Sequence, residues 1–384
     1  MIVLGLISGT SLDAIDVAVA DLSWRDDRIV LRPLRHAEMP WPAATRARLV
    51  AALPPAATTM AEICALDVLA GEAFAEAAAA FTEGVELIAS HGQTLFHWIE
   101  GGRARGTLQI GQPACIVERT GLPVISDIRA RDIAAGGQGA PLASTLDALW
   151  LADPAIRRAA LNLGGIANVT IVGAPEKPIL AFDTGPANCL LDIEATRITQ
   201  GVLASDIDGR IARGGRVRRD LLDRLLGEPY YGRPAPKSTG RELFTPAYVQ
   251  PFLENLPTIA DADRMATLVE LTAITVADAC RAHCVDEVIA SGGGMRNPAL
   301  TQALRRQLGA IRLIPSEQRG LPSEGKEAYL MALLGFLTWH QVPGVLPGAT
   351  GSPIARVLGR LSPGNLPMRL PPPGPRPSGL ILEN

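Results

Sequence analysis

A turn of small and hydroxyl-bearing residues near the start of the chain has the residue types that bind phosphate. The segment GTSLDAID, residues 9–16, lies between two apolar runs and carries Asp13 and Asp16. Small side chains let the backbone approach a phosphate, and N–H groups and hydroxyls can donate hydrogen bonds to its oxygens. A carboxylate such as Asp13 can hold Mg²⁺ directly or through water. The same residues also suit an ordinary hairpin bend, so this turn alone leaves both interpretations open.

An acid at the end of a later strand is the candidate for proton chemistry. It is Asp183, in the segment AFDTGPAN at 181–188. Pro186 ahead of a helical run suits a helix start, and a helix N-terminus attracts anions. A general base or a metal contact is favoured over a simple capping role. The reason is that the chain repeats one arrangement of strands and turns, described below, in which the first turn has an equivalent position.

A third segment, IASGGGMRNPAL at 289–300, is a strand that ends in three glycines and leads into a helix. Such glycines let a flat ring or a phosphate approach the backbone, although a tight strand–helix turn needs them too. The segment lacks the G-x-G-x-x-G spacing of a dinucleotide site. The chain also has no G-x-x-x-x-G-K-[ST] sequence, which disfavours a P-loop enzyme.

The elements that must position these segments follow one plan twice. Apolar runs at 2–7 and 15–22, predicted as strands, flank the first turn. The same order of apolar run, small-residue turn and apolar run returns at 159–172, where the turn is Gly164-Gly165. The similarity lies in the pattern more than in identity, and it indicates an internal duplication.

The remaining pattern predicts a loop-rich α/β protein with three parts. An N-terminal domain is expected over 1–156 and a C-terminal ATPase-like domain over 157–362, which includes the apolar helix that begins at EGKEAYL. The tail over 363–384 is rich in proline and is expected to lack regular structure. The first domain would carry the phosphate hairpin and much of the substrate site, and the second the adenosine segment.

Composition limits the classes of partner and compartment. The 384 residues are 47% hydrophobic and 20% charged, with a formal net charge of −3. Because no stripe of Lys and Arg is evident, a nucleic-acid partner is disfavoured. Neither a signal peptide nor an apolar stretch long enough to cross a bilayer is found, so we expect a cytoplasmic protein with no membrane partner.

The five cysteines are scattered, as in proteins with reduced thiols. Cys280 and Cys284 lie four residues apart with His283 between them, which raises a metal site as an alternative. Common zinc sites use closer pairs and a second ligand pair. Buried cysteines on one helical face are therefore the favoured interpretation.

Taken in order, the three segments resemble the actin, Hsp70 and sugar-kinase superfamily, whose ribonuclease H-like fold closes two duplicated domains around a central ATP cleft. Longer motifs narrow the resemblance to the anhydro-N-acetylmuramic acid kinase family, and they run from Gly5 to about Leu334 in the family's order. The motifs are GLISGTSLDAIDVAVAD, SHGQTLFH, TLQIG, ERTGLPVISDIRARDIAAGGQGAPL, LNLGGIANVT, FDTGPAN, PKSTGRELF, SGGGMRNP and KEA.

The resemblance implies an activity. The family uses ATP to phosphorylate 1,6-anhydro-N-acetylmuramic acid, a product of peptidoglycan turnover, while water opens the anhydro ring. The product, N-acetylmuramic acid 6-phosphate, feeds cell-wall recycling and amino-sugar metabolism. A homodimer is the default of the family. A same-fold kinase for another amino or anhydro sugar is the first alternative, and a nucleotide-switch ATPase is the second.

The resemblance also implies roles for residues. Asp183 would take a proton from the attacking water, Glu327 would lie near the sugar and assist it, and Asp13 would hold Mg²⁺. Gln93, Arg131 and Gln138 would bind the sugar, although Arg131 could instead pair with Asp132. His91 and His97 are expected to be satisfied loop or core histidines. The residues expected at ATP are Gly9, Thr10, Ser11, Leu12, Asp13, Ala14, Ile15, Asp16, Gly164, Gly165, Gly293, Gly294 and Asn297.

Overall fold

The computed structural model describes residues 1–173, 179–240, 243–346 and 349–383. The chain divides into two compact units: unit 1 comprises Met1–Trp150 and Gly320–Asn384, and unit 2 comprises Leu151–Arg319. The expected boundary after residue 156 therefore falls six residues late. The assignment of everything up to 362 to the second domain is wrong, because the chain returns to unit 1 after Arg319.

The elements follow in chain order. Those before the first crossover are β1 (Ile2–Ser8), β2 (Ile15–Arg25), β3 (Arg28–Met39), α1 (Ala43–Ala52), α2 (Met60–Ala79), β4 (Leu87–Glu100), β5 (Arg103–Ile110), α3 (Pro113–Thr120), β6 (Val124–Ser126), α4 (Ala130–Ala134) and α5 (Ala143–Leu151). Those of unit 2 are β7 (Arg158–Leu163), β8 (Ile166–Val172), β9 (Leu180–Pro186), α6 (Asn188–Ile198), α7 (Arg210–Arg213), α8 (Arg219–Leu226), α9 (Gln250–Leu253), α10 (Asp261–Ala282), β10 (Glu287–Ser291), α11 (Pro298–Leu308) and β11 (Arg312–Pro315). The last elements, back in unit 1, are α12 (Lys326–Trp339), β12 (Arg360–Ser362) and β13 (Gly379–Leu382).

Each unit is built on one mixed sheet, and the two sheets share a strand order. The order is β12-β6-β4-β1-β2-β3-β13 in unit 1 and β11-β10-β7-β8-β9 in unit 2. In both, three antiparallel strands (β1-β2-β3 and β7-β8-β9) come first and parallel strands are added beside the first of them (β4 and β6, β10 and β11). The repeated order confirms the duplication and the α/β fold class expected from the sequence.

Strand periodicity explains how the sheet of unit 1 is covered on two faces. Val3, Ala18 and Ala20 pack into one apolar cluster with α12, whereas Leu4 and Val17 pack into another with α2. Alternate side chains of a strand point to opposite faces of a sheet. The unit is therefore a three-layer α/β/α sandwich. In unit 2 a single large cluster joins the sheet to α6, α8, α10 and α11.

The return of the chain to unit 1 rests on close backbone contact. A Cβ added at Gly5 in β1 would overlap the carbonyl oxygen of Ala328, and one at Gly335 would lie 2.6 Å from Ala89 Cβ. Glycine at these positions lets α12 lie directly on β1 and β4. This explains why a helix far along the sequence belongs to the first unit.

The Pro-rich tail is not without regular structure, so that prediction is wrong. Its strand β13 pairs in parallel with β3, from Gly379 beside Arg28 to Leu382 beside Leu31. Earlier in the tail, the carbonyl oxygen of Pro371 accepts a hydrogen bond from Gln341 Nε2 at 2.8 Å. The tail thus covers an edge of the sheet that would otherwise present unpaired backbone groups.

Cys280 and Cys284 differ in their exposure to solvent. Cys280 is buried inside α10, as predicted. Cys284 is exposed, because α10 ends at Ala282 and the residue takes a φ of 51° beyond it. Within the described ranges, no group of three or more His, Cys, Asp or Glu side chains is placed to hold a metal ion, and no helix could span a membrane.

Candidate active site

The first hairpin, between β1 and β2, has a turn that is fixed by hydrogen bonds from neighbouring residues. Ser8 Oγ donates to the carbonyl oxygen of Ala14 at 2.8 Å and accepts from Trp41 Nε1 at 3.1 Å. The N–H of Leu12 donates to Gly9 O at 3.1 Å. Leu12 has a φ of 57°, a conformation that is costly for a leucine. Complete burial of its side chain maintains that conformation.

The residues predicted at ATP divide into outward-facing and buried groups. Thr10, Ser11 and Asp13 are exposed, whereas Leu12 and Ile15 are buried in the core and can offer only their backbones. Beside Gly9 the space is open: a Cβ there would meet only Ser11 Oγ, at 3.7 Å. A phosphate could therefore approach this turn.

Two carboxylates follow the turn in contrasting surroundings. Asp13 is 77% exposed and lies 3.9 Å from an Arg46 nitrogen. Asp16 is half-buried opposite Glu38 of β3. Burial raises the pKa of Asp16 to about 7, and the nearby charge of Glu327 is the next largest cause, ahead of those of Glu38 and Asp13. Oxygen donors with surplus negative charge are the groups that suit Mg²⁺.

The middle of β4 reaches the same turn. Gln93 is wholly buried, and its Nε2 donates to Gly9 O at 3.3 Å and to Thr94 O at 3.1 Å. Its NH₂ group thus holds the carbonyl oxygen of Gly9 in the hairpin. The role of Gln93 in sugar binding remains a prediction.

A buried His–Arg contact lies beside this strand. Arg129 Nε donates to His91 Nε2 at 2.7 Å, and His91 Nδ1 lies 3.0 Å from Gly92 O. Because a guanidinium only donates, Nε2 is the acceptor and the proton sits on Nδ1. Burial, with the charge of Arg129, lowers the pKa of His91 to about 3. The prediction of satisfied histidines is confirmed here and for His97, which lies 3.2 Å from Thr107 Oγ1.

Arg129 is a residue that the sequence did not single out. Besides His91, its guanidinium donates to Gly139 O at 2.5 Å. Burial lowers its pKa to about 10, and the negative charge of Glu327 opposes that shift. The segment IRARD contains two arginines, and only the structure separates the inward Arg129 from the exposed Arg131.

The glycine-rich loop after α4 is organised by Asp132. Its carboxylate accepts from Gly139 N and from Thr350 Oγ1, each at 2.8 Å, and a Cβ at Gly137 would overlap it. Asp132 is thus occupied by the loop, which leaves the alternative of an Arg131–Asp132 pair unsupported. Gln138 Oε1 accepts from Ala104 N at 2.8 Å and ties the loop to β5.

Glu327 lies exposed in the first turn of α12, and its neighbour fixes the start of the helix. Lys326 is buried, and its Nζ lies 2.8 Å from Asp147 Oδ1 of α5. Since removing one partner of a buried ion pair is strongly destabilising, this pair holds the helix start, and with it Glu327, in place.

In unit 2 the second hairpin, between β7 and β8, accepts hydrogen bonds from residues at the N-terminus of α6. Asn188 Nδ2 donates to Leu163 O at 3.0 Å and to Gly164 O at 2.9 Å. The backbone N–H groups of Ala187 and Cys189 both donate to Gly165 O, at 2.9 and 3.0 Å. A Cβ at Gly164 or Gly165 would meet nothing closer than 3.8 Å. This turn, like the first, is open on its outer side.

Asp183 lies in β9 and is held at three points. Its N–H donates to Lys237 O at 3.0 Å, its carbonyl oxygen accepts from Tyr230 OH at 2.8 Å, and its Oδ2 accepts from Thr239 N at 2.9 Å. The side chain therefore has a fixed orientation.

The loop that holds Asp183 belongs to the motif PKSTGRELF. Lys237 Nζ donates to Tyr230 O at 3.1 Å and to Tyr231 O at 2.9 Å, and it lies 4.7 Å from the centroid of the Tyr230 ring. The sequence marked this motif as distinctive and assigned it no role. Its Arg241 and Glu242 lie outside the described residues.

The third segment shows that the glycines after β10 have separate functions. Gly292 has a φ of 91°, and a Cβ at Gly294 would lie 2.7 Å from Leu163 Cβ, so both are required by packing. A Cβ at Gly293 would meet only the Arg296 guanidinium, at 3.6 Å. Asn297 caps α11: its Oδ1 accepts from Ala299 N at 3.0 Å and from Leu300 N at 3.3 Å. Only Gly293 leaves space for a ligand.

The site residues thus fall into two sets, one in each unit. Unit 1 carries the hairpin at Gly9, Arg131 and Glu327, whereas unit 2 carries Asp183 and the open glycines Gly164 and Gly293. Each set combines groups that can bind phosphate with at least one carboxylate.

Comparisons with known proteins identify the family. A family model described as anhydro-N-acetylmuramic acid kinase matches residues 1–364. The anhydro-N-acetylmuramic acid kinase of Streptomyces avermitilis is 52% identical, with 100% of both chains covered. That of Rhodococcus erythropolis is 50% identical, with 95% of each chain covered. A ROK family glucokinase from Streptomyces griseus, solved with glucose and AMPPNP, covers 88% of this chain and 99% of its own at 14% identity and a TM-score of 0.36, too low to support an inference.

Proposed function

The chain belongs to the anhydro-N-acetylmuramic acid kinase family, and from that premise we propose how its residues carry out the reaction. The enzyme is an ATP-dependent kinase that acts on 1,6-anhydro-N-acetylmuramic acid in peptidoglycan recycling and amino-sugar catabolism. Water adds to C1, the bond between C1 and O6 breaks, and O6 accepts the γ-phosphoryl group. The products are N-acetylmuramic acid 6-phosphate and ADP.

Asp183 is the general base of this reaction. The attacking water must lose a proton as it bonds to C1, and a positioned carboxylate can accept it. The single observation that carries this assignment is the three-point clamp on Asp183, which fixes the carboxylate through the N–H of Thr239. Glu327, on the other unit, is proposed to lie near the sugar and to assist.

The two open hairpins bind the phosphates of ATP. Phosphoryl transfer depends mainly on positioning and on stabilisation of the charge that spreads over the transferred group. Backbone N–H groups around Gly9 and Gly164, together with the Thr10 and Ser11 hydroxyls, supply donors for this purpose. Gly293 leaves space for the adenosine part of the nucleotide.

The acids after the first hairpin fit Mg²⁺. The exposed Asp13 and the half-buried Asp16 offer oxygen ligands, and the crowding of carboxylates around Asp16 favours a bound cation. One or two carboxylates with waters and phosphates are the usual protein sites for this ion. When bound, Mg²⁺ neutralises phosphate charge.

The sugar is recognised from unit 1. An exposed guanidinium such as that of Arg131 suits the lactyl carboxylate, because arginine binds carboxylates through two parallel hydrogen bonds. Gln93 and Gln138 were expected at the sugar as well. Since their side chains hold Gly9 and Ala104, we propose that both support the site from behind.

The substrate assignment is tested by ADP release with purified enzyme, ATP and Mg²⁺. We expect release to depend on 1,6-anhydro-N-acetylmuramic acid and to be weak with 1,6-anhydro-N-acetylglucosamine, which lacks the lactyl carboxylate. N-acetylglucosamine, which has no anhydro ring, serves as the control. Equal rates with all three would show a kinase of different specificity, and release without any sugar would show an ATPase.

Location and assembly remain predictions of the family resemblance. A cytoplasmic location would give the enzyme access to ATP, and fractionation of cells tests it. A homodimer would double the mass of 40.5 kDa, which light scattering measures directly.

A further inference from the structure

Side-chain amides hold the carbonyl oxygens of both phosphate hairpins. In unit 1, Gln93 Nε2 donates to Gly9 O at 3.3 Å. In unit 2, Asn188 Nδ2 donates to Gly164 O and Leu163 O. We propose that Gln93 and Asn188 are positioning residues that turn the N–H groups of these hairpins towards the phosphates of ATP, a role that rests on the proposed function.

The argument begins with the geometry of the peptide group. In a trans peptide the C=O and the following N–H point in opposite directions and lie in one plane. Holding Gly9 O therefore directs the N–H of Thr10 the other way. In the same manner, holding Leu163 O and Gly164 O directs the N–H groups of Gly164 and Gly165.

Backbone N–H groups also hold two of these oxygens, Leu12 N at Gly9 O and Asn188 N at Gly164 O, each at 3.1 Å. The side-chain amides add a second restraint, without which these peptides could rotate more easily. Glycine accepts a wide range of backbone angles, so a peptide beside Gly9, Gly164 or Gly165 can turn over at small cost. A rotated peptide would point its carbonyl oxygen at the phosphate, which repels it. A donor that captures the carbonyl thus favours the phosphate-binding orientation before ATP arrives, and preorganisation of this kind raises affinity.

The neighbours of each amide fix its orientation. Gln93 Nε2 has two carbonyl partners, Gly9 O and Thr94 O, and Asn188 Nδ2 also has two. Each amide acts here as a donor to two carbonyl oxygens, which its NH₂ group can do and a carboxylate or an amide oxygen cannot. A carboxylate in either place would repel those oxygens.

The two amides come from unrelated places in the duplicated plan. Gln93 lies in β4, a parallel strand beside β1, whereas Asn188 is the first residue of α6. Gln93 is also wholly buried, which suits a residue that acts on the hairpin more than one that reads the sugar. The amide that holds the hairpin thus comes from a strand in unit 1 and from a helix in unit 2.

The test is nucleotide binding without sugar. The variants Gln93→Met and Asn188→Ala remove the donors, and the affinity of each for a non-hydrolysable ATP analogue is compared with its affinity for adenosine. We expect about tenfold weaker binding of the analogue, the effect of one or two lost hydrogen bonds, and unchanged binding of adenosine. Gln93→Glu should weaken the analogue further, because it sets a carboxylate against Gly9 O.

A matched control is available in the neighbouring strand. Gln109 Nε2 donates to Thr94 Oγ1 at 3.1 Å and to Thr107 Oγ1 at 2.7 Å, and none of these atoms belongs to the hairpin. Gln109→Met should bind the ATP analogue as the wild type does. If Gln93→Met does not fold, Asn188→Ala tests the same claim in unit 2.

Two results would overturn the inference. Unchanged affinity for the ATP analogue in folded variants would show that the amides do not act on phosphate binding. Equal weakening of the analogue and adenosine would show a general structural role. The binding assay contains no sugar, so its outcome does not depend on the substrate assignment. Failure of the proposed function would be seen separately, as wild-type enzyme that shows no sugar-dependent ADP release.

Discussion

At the scale of residues, the chemistry of each carboxylate depends on the hydrogen bonds, burial and charges that its neighbours provide. Asp183 is held by hydrogen bonds from Tyr230 and Thr239 and by its contact with Lys237. Asp16 is instead half-buried, and its pKa is raised to about 7, first by burial and then by the charges of nearby acids. The sequence singled out both acids, but only the structure separates a fixed base from a crowded acid.

The base assignment predicts the effect of Asp183→Asn. The amide keeps the size of the side chain and cannot take a proton from water, so kcat should fall about 10³-fold, within the range of general base catalysis. Binding of ATP should change little. Single-turnover kinetics and nucleotide titration measure the two quantities.

Asp208→Asn is the matched control, because Asp208 is an exposed acid of the same unit whose φ of 54° asparagine also accepts. It should retain wild-type kcat. Near-normal turnover by Asp183→Asn would remove Asp183 from the mechanism.

The surroundings of Asp16 predict a dependence of stability on pH. Burial raises the pKa of Asp16 from its ordinary value of 3.8 to about 7 in the folded protein, so the folded protein binds an extra proton between these pH values. The free energy of unfolding therefore falls as pH rises through this window. Asp16→Asn removes that loss, and without Mg²⁺ it should melt roughly 2–4 °C above the wild type near pH 8, the shift for about 1 kcal/mol.

The advantage of Asp16→Asn should shrink as the pH is lowered to about 4, where the aspartic acid is protonated in both states. Asp26→Asn, at an exposed turn with a φ of 57°, should show no such trend. A melting difference that is the same at both pH values would contradict the account of Asp16.

At the scale of elements, glycines decide which segments meet each other and which leave space for a ligand. Gly5 and Gly335 let α12 approach β1 and β4, and Gly294 lets the turn after β10 lie on Leu163. Gly293 has no comparable neighbour. The sequence shows a run of three glycines and cannot tell these functions apart, because they depend on what lies opposite.

This difference predicts opposite results for neighbouring substitutions. Gly294→Ala should destabilise the protein by about 1–3 kcal/mol, because its Cβ would overpack against Leu163. Gly293→Ala should leave the melting temperature within about 1 °C and raise the KM for ATP. Melting curves and initial rates distinguish them. Equal loss of stability in both variants would contradict the assignment.

At the scale of the whole molecule, unit 1 is assembled from both ends of the chain. The tail adds β13 beside β3 and buries Leu380. Removal of residues 364–384 should therefore lower the melting temperature by several degrees and promote association through the uncovered strand edge. Removal of Asn384 alone serves as the control. Unchanged melting of the longer truncation would show that the tail contributes nothing to unit 1.

The sequence predicts local features of this molecule better than its long-range ones. The strands around the hairpins follow from periodicity and turn residues, and the structure confirms them. The placement of α12 in unit 1 was missed, since it depends on contact with a strand more than 300 residues earlier. Arg129, Lys237 and the amide of Asn188 were missed because their importance lies in partners distant in the chain.

The central claim is that ring opening and phosphoryl transfer are one coupled reaction, and its most direct test is a phosphorus count by ³¹P NMR. The enzyme is incubated with ATP, Mg²⁺ and 1,6-anhydro-N-acetylmuramic acid. We predict one sugar 6-phosphate for each ADP, no inorganic phosphate, and no consumption of ATP when the sugar is left out. Inorganic phosphate in place of the sugar phosphate, or ADP formed at the same rate without sugar, would contradict the account.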